Sequence, residues 1–149
     1  MTKFLLIFFA SLAIGVRFNL PRKSFVASAL IAVAGSMVNS SLLGMGAHPQ
    51  ESAFAAAFAV AISAELLARK MRVPSLLLSI PGIIPLVPGS AAYRATTFLV
   101  DGKELSGAET AIGAALTAVG IASGLLLASS LSRRVIKPLL ARFAPSSTP

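Results

Sequence analysis

Ser79-Ile-Pro-Gly-Ile-Ile-Pro-Leu-Val-Pro-Gly-Ser-Ala-Ala-Tyr-Arg94 is the stretch whose reading decides how this chain is built. It lies inside an apolar block, residues 75–100, whose one charge is Arg94. As one continuous helix that block would be about 39 Å long at ~1.5 Å per residue. Pro81, Pro85 and Pro88, with Gly82 and Gly89, fall within nine residues of it. Each proline removes a backbone donor and crowds the carbonyl four residues back, which costs about 3 kcal/mol in a helix interior. The helix should therefore break here, and Gly89-Ser90 should open a second half-helix.

Outward from this block the chain is a series of similar ones. Residues 4–20, 24–43, 52–68 and 107–131 are also apolar, and a membrane-spanning helix needs about 20 such residues. The composition agrees: of 149 residues 56% are hydrophobic and 12% charged, and mean hydropathy is +0.85. A soluble domain carries about 25% charged residues. The fold expected is an all-α integral membrane protein of about five transmembrane helices in one transmembrane domain, 1–149, with the fourth span broken. Residues 138–149 are expected to form a flexible cytoplasmic tail.

The charges give an orientation. Arg17, Arg22 and Lys23 sit in the first connection, Arg69, Lys70 and Arg72 in the third, and Arg133, Arg134, Lys137 and Arg142 in the tail. The intervening connections hold His48 and Glu51, then Asp101, Lys103, Glu104 and Glu109. The positive-inside rule places the basic connections in the cytoplasm, so the N-terminus lies outside and the C-terminus inside. The formal net charge of +8 is then a matter of topology, with the lipid bilayer as partner and no nucleic acid. The first 13 residues look like a signal peptide. Cleavage would strand Arg17, Arg22 and Lys23 outside, so the segment is read as a span.

Arg17-Phe-Asn-Leu-Pro21 and Lys70-Met-Arg-Val-Pro74 share the pattern basic-x-x-aliphatic-Pro, each before a span that starts near a serine. The simplest reading is two cytoplasmic connections that start helices alike.

A broken span is a place for a site. Non-helical backbone at membrane depth is tolerated where it is buried in protein or lines a watery cavity. The freed N-terminus of a half-helix suits an anionic group, and transporter sites are commonly built this way. Arg94 stands one turn into that half-helix, where its guanidinium can grip a carboxylate through two parallel hydrogen bonds.

The segment 81–94 resembles the proline-glycine motif of the threonine/serine exporter (ThrE) family, and Val16-Arg-Phe-Asn-Leu-Pro-Arg22 resembles that family's first cytoplasmic loop. Length and layout are similar to the small, YjjB-like subunit over residues 4 to about 137. The resemblance implies a multi-pass subunit in the bacterial inner membrane that exports small carboxylates: threonine and serine, or dicarboxylates such as succinate. It also implies a YjjP-like large subunit as partner, with self-association the other route to a complete transporter. Pro85, Pro88, Gly89 and Tyr93 carry over as motif residues. Arg94 is more like the fused members of the family than the split ones. The substrate-binding set expected is Pro85, Pro88, Gly89, Ser90, Tyr93 and Arg94, joined by Asn39 if that residue faces a hydrophilic path.

The remaining polar positions have structural readings. Ser28, Ala32, Ser36 and Ser40 form a small-residue stripe suited to close helix packing. Gly120-Ile-Ala-Ser-Gly124 is a second seam, where a partner helix or a second copy is expected. Glu65 should pair with Arg69 one turn on. Ser106 and Glu109 fit a capping box at the start of the last span. His48 is read as a solvated loop residue. With no cysteine and a single histidine, metal sites, cofactors and a hydrolase triad are not expected, and the chain is not read as an enzyme. The alternative to transport is a structural or assembly membrane protein whose proline-rich span is a packing device.

Overall fold

The computed structural model describes residues 2–132 and Arg134, so the tail expected at 138–149 lies outside the described residues. The described residues fold into helices: α1 (Thr2–Arg17), α2 (Ser24–Gly44), α3 (Pro49–Met71), α4 (Ser75–Ile83), a 3-10 turn (Ile84–Leu86), α5 (Gly89–Val100) and α6 (Glu104–Leu131).

Four connections stop their helices in the same way. The residues in left-handed backbone are Asn19, Gly46, Arg72 and Gly102, with φ of 50, 88, 55 and 73°. The N–H that follows each reaches back five residues: Leu20 to Gly15 O at 3.1 Å, Ala47 to Leu42 O at 3.0 Å, Val73 to Ala68 O at 3.0 Å and Lys103 to Phe98 O at 2.8 Å. This is the Schellman stop, which satisfies carbonyls the helix end would leave free. The two basic-x-x-aliphatic-Pro segments are thus matching helix stops rather than matching starts. Asn19 and Arg72 turn, Leu20 and Val73 close the bond, and proline forbids continuation. The first helix accordingly ends at Arg17 and not near residue 20.

Three helices, α2, α3 and α6, are each long and apolar enough to cross a membrane, and the α4–α5 pair makes a fourth candidate bent by 42°. At 16 residues α1 is about 24 Å long, short of the ~30 Å hydrocarbon core. The protein is therefore a helical membrane protein with three to four candidate spans, one fewer or two fewer than the sequence reading counts.

Helix α3 is the hub, packing on α2, α4 and α6. Its buried residues, including Ala53, Ala56, Ala57, Val60, Ala64 and Ala68, recur at helical spacing and are nearly all alanine. Small side chains let the backbones approach, which is how helices associate without a hydrophobic driving force in lipid. Val60 is wedged between two glycines: a Cβ at Gly35 would overlap its Cγ2, and one at Gly82 would stand 2.8 Å from its Cγ1. The α2 stripe is a packing surface as expected, with Ser28, Ala32 and Ser36 buried.

Two expectations are corrected. The Gly120–Gly124 seam is filled from within the chain, since a Cβ at either glycine would lie 2.5 Å from a main-chain oxygen of α3, Gln50 O or Phe54 O. It is therefore not open to a partner helix. Helix α6 also starts at Glu104, two residues before Ser106, so Ser106 and Glu109 lie inside it and form no cap. The acid that caps is Glu51, which accepts the His48 N–H at 3.2 Å with Pro49 at the first position of α3. His48 itself is exposed, as a loop residue should be.

Candidate functional site

The break is built by two of the three prolines. Pro81 sits inside α4 and is buried without ending it. Pro85 lies within the 3-10 turn, and Pro88 immediately precedes α5. Because position 85 has no N–H, the carbonyl of Pro81 loses its normal partner four residues on. Ser11 supplies one: its hydroxyl donates to Pro81 O at 3.3 Å from α1. The sequence reading missed Ser11, whose only signal was a lone polar residue within the apolar run 4–16.

Helix α5 begins at Gly89 as predicted. The Gly89 N–H folds back on Val87 O at 2.8 Å, and the Ala92 N–H bonds Pro88 O at 3.0 Å. Between them the N–H groups of Ser90 and Ala91 are left as free donors at the positive end of the helix. No side chain caps this end.

The expected site residues divide between two faces. Pro88 and Gly89 border a cleft of about 420 Å³ between α5 and α6, closed on the far side by Ala111, Ala114, Ala115 and Ala118. That cleft is almost wholly apolar. Ser90, Tyr93 and Arg94 turn away from it and are exposed, Tyr93 by 73%. With Thr97, one further turn along, they make a polar stripe on the outer face of α5. The helix packs on α6 through its opposite face, where Ala95 is buried. Arg94 makes no ion pair with Glu51 or any other acid among the described residues. Pro85 is half-buried within the turn, and Asn39 is half-buried on α2, seven residues beyond the buried Ala32. Asn39 shares no hydrogen bond with the break.

A second polar group lies at the end of the bundle where α3 and α6 finish and α4 begins. Glu65 accepts the Ser75 hydroxyl on one carboxylate oxygen at 3.0 Å and the Ser132 hydroxyl on the other at 3.2 Å. Arg69 stands 3.8 Å from Glu65 and donates to Ser132 Oγ at 2.8 Å. The expected Glu65–Arg69 pair is present, but it belongs to a network tying three helices. The basic residues Lys23, Lys70 and Arg72 line one groove near the same connections. Among the described residues no three His, Asp or Glu side chains gather as a metal site.

A membrane bundle interrupted at Pro85–Pro88, with a half-helix N-terminus left free, is what the proline-glycine motif implied. The family model described as "Threonine/Serine exporter, ThrE" matches residues 3–131. The chain belongs to the threonine/serine exporter family. The family is described as one of threonine/serine exporters, and the long apolar helices of this chain agree with a membrane protein. A threonine/serine exporter of Corynebacterium glutamicum is 36% identical over 97 residues, which is 65% of this chain and 19% of that protein. The chain thus spans about a fifth of the relative's length. No solved structure matches it.

Proposed function

We propose that this chain is one subunit of an exporter of small carboxylates, either threonine and serine or dicarboxylates such as succinate, in the bacterial inner membrane. In this reading α1 completes five spans with the N-terminus outside, and the α5 half-helix lines the substrate path. A YjjP-like large subunit, or further copies of the chain, covers the rest of that path. The relative is five times longer than the region matched, which fits a machine with more parts than this chain supplies.

The observation that carries the reading is the outer face of α5. An arginine facing lipid at the centre of a helix costs about 2.5–3.5 kcal/mol even on insertion scales. Ser90, Tyr93, Arg94 and Thr97 are therefore better placed against water or protein than against acyl chains. Arg94 and the free N–H groups of Ser90 and Ala91 form a donor set on a single half-helix, suited to a carboxylate.

Arg94→Lys tests this directly. Lysine keeps the charge and loses the planar two-donor fork. Substrate affinity in counterflow vesicles is expected to weaken roughly tenfold, and further in Arg94→Ala, with insertion unchanged. Wild-type affinity in Arg94→Ala would remove Arg94 from the site. Counterflow with and without the large subunit, against threonine, serine and succinate, separates the substrate and partner options.

The orientation has its own check. Cysteines placed at 17–23 and 69–73 should resist an impermeant thiol reagent in intact cells, while those at 44–50 and 102–106 react. External labelling of the 69–73 connection would reverse the topology.

A further inference from the structure

The Glu65 network borders a cleft that the α5 site does not use. Helices α4 and α6 each pack on α3 and leave a wedge of about 460 Å³ between them. Among the described residues Glu65 is the one charged lining residue, with Ser75 and Ser79 on α4 and Ser129 on α6. Arg69 and Ser132 do not line it, so the carboxylate faces the cleft while its cationic neighbour stands outside.

The hydroxyl hydrogens of Ser75 and Ser79 are already committed. Ser75 donates to Glu65 at 3.0 Å, and Ser79 donates to Leu76 O at 3.3 Å. Each oxygen keeps lone pairs free to accept. The cleft therefore offers a carboxylate and hydroxyl acceptors, with no cation among its described lining residues. Arg69 stands 3.8 Å from Glu65 but does not line the cleft, so an ammonium, with three donors and a positive charge, suits this lining better than a carboxylate does.

The geometry points to this cleft as a binding site for the ammonium group of a zwitterionic amino acid. It lies at the end of the bundle that carries the basic connections, where an exported substrate would enter. The inference rests on the exporter reading and sharpens it: an amino acid satisfies Glu65, and a dicarboxylate does not.

Calorimetric titration of the full chain in lipid nanodiscs tests this, with L-threonine and its deaminated analogue 3-hydroxybutyrate as probes. Glu65→Gln keeps the side-chain shape and removes the charge. It is expected to weaken threonine roughly tenfold or more and to leave 3-hydroxybutyrate unchanged. Ser79→Ala, outside the Glu65 network, is expected to weaken threonine alone by a few-fold, and it serves if Glu65→Gln fails to fold. Wild-type threonine affinity in a folded Glu65→Gln overturns the site. So does equal weakening of both probes, which marks a structural role, or rescue of the difference by exchanging sodium for choline, which marks an alkali-cation site. Counterflow by the wild type separates the two claims. Threonine transport with an indifferent Glu65 overturns this site alone, and a wild type that neither binds nor carries threonine overturns the exporter reading as well.

Discussion

Replacing Pro85 and Pro88 together with alanine is expected to leave a protein that inserts normally, unfolds at a higher temperature and loses transport about tenfold or more, equivalent to ~1.4 kcal/mol or more of barrier. Alanine at 85 supplies the N–H that the Pro81 carbonyl lacks, and alanine at 88 supplies one opposite Ile84. Each recovered bond is worth about 0.5–1.5 kcal/mol, and relief of the proline clash adds to it. The same bonds straighten the 42° bend and absorb the free end of α5 into a continuous helix. Ser11 reports the change locally. Ser11→Ala should cost about 1–2 kcal/mol in the wild type, where it orphans the Pro81 carbonyl. It should cost much less once position 85 has its own N–H. Thermal unfolding in detergent reads the stability, and counterflow reads the function. Unchanged transport at normal expression would make the break a packing device.

The second large effect falls on the α3–α6 seam. A Cβ at Gly124 would stand 2.5 Å from Phe54 O and 3.1 Å from Phe58 N. Both are main-chain atoms of the hub helix, so neither can swing aside as a side-chain tip would. Gly124→Leu must push α3 and α6 apart, and is expected to destabilise the bundle by about 3 kcal/mol, the upper end for overpacking. Gly113 on the same helix is the control, because a Cβ there meets nothing within 4 Å. Gly113→Ala should be neutral or stabilising by up to about 1 kcal/mol through helix propensity. Equal stability of the two variants would show that α3 and α6 are not held at this distance.

Helix positions were legible because lipid imposes simple rules. Each backbone group must be satisfied within its helix or at its end, so apolar blocks bounded by charge become helices with few alternatives. The errors were at ends. Asn19 and Arg72 stop their helices through backbone conformation, to which hydropathy is blind, and Pro49 starts α3 three residues before the apolar run suggests. Ser106 and Glu109 have the spacing of a cap, but spacing alone does not decide whether a helix has already begun.

By itself the sequence determined the helical membrane class, the family, the place of the break and the start of the second half-helix at Gly89. Those follow from local chemistry: apolar length, missing N–H groups and glycine. Only the tertiary structure decided which residues meet. It placed Pro88 and Gly89 on an apolar cleft but Tyr93 and Arg94 on the opposite face, because among the described residues α5 packs chiefly on α6. It gave the Pro81 carbonyl to Ser11, 70 residues away, and gathered Ser75 and Ser132 onto Glu65 from two other helices. It also spent the Gly120–Gly124 seam on α3. Small-residue faces fit many neighbours equally well in one dimension, and only the packed bundle selects among them.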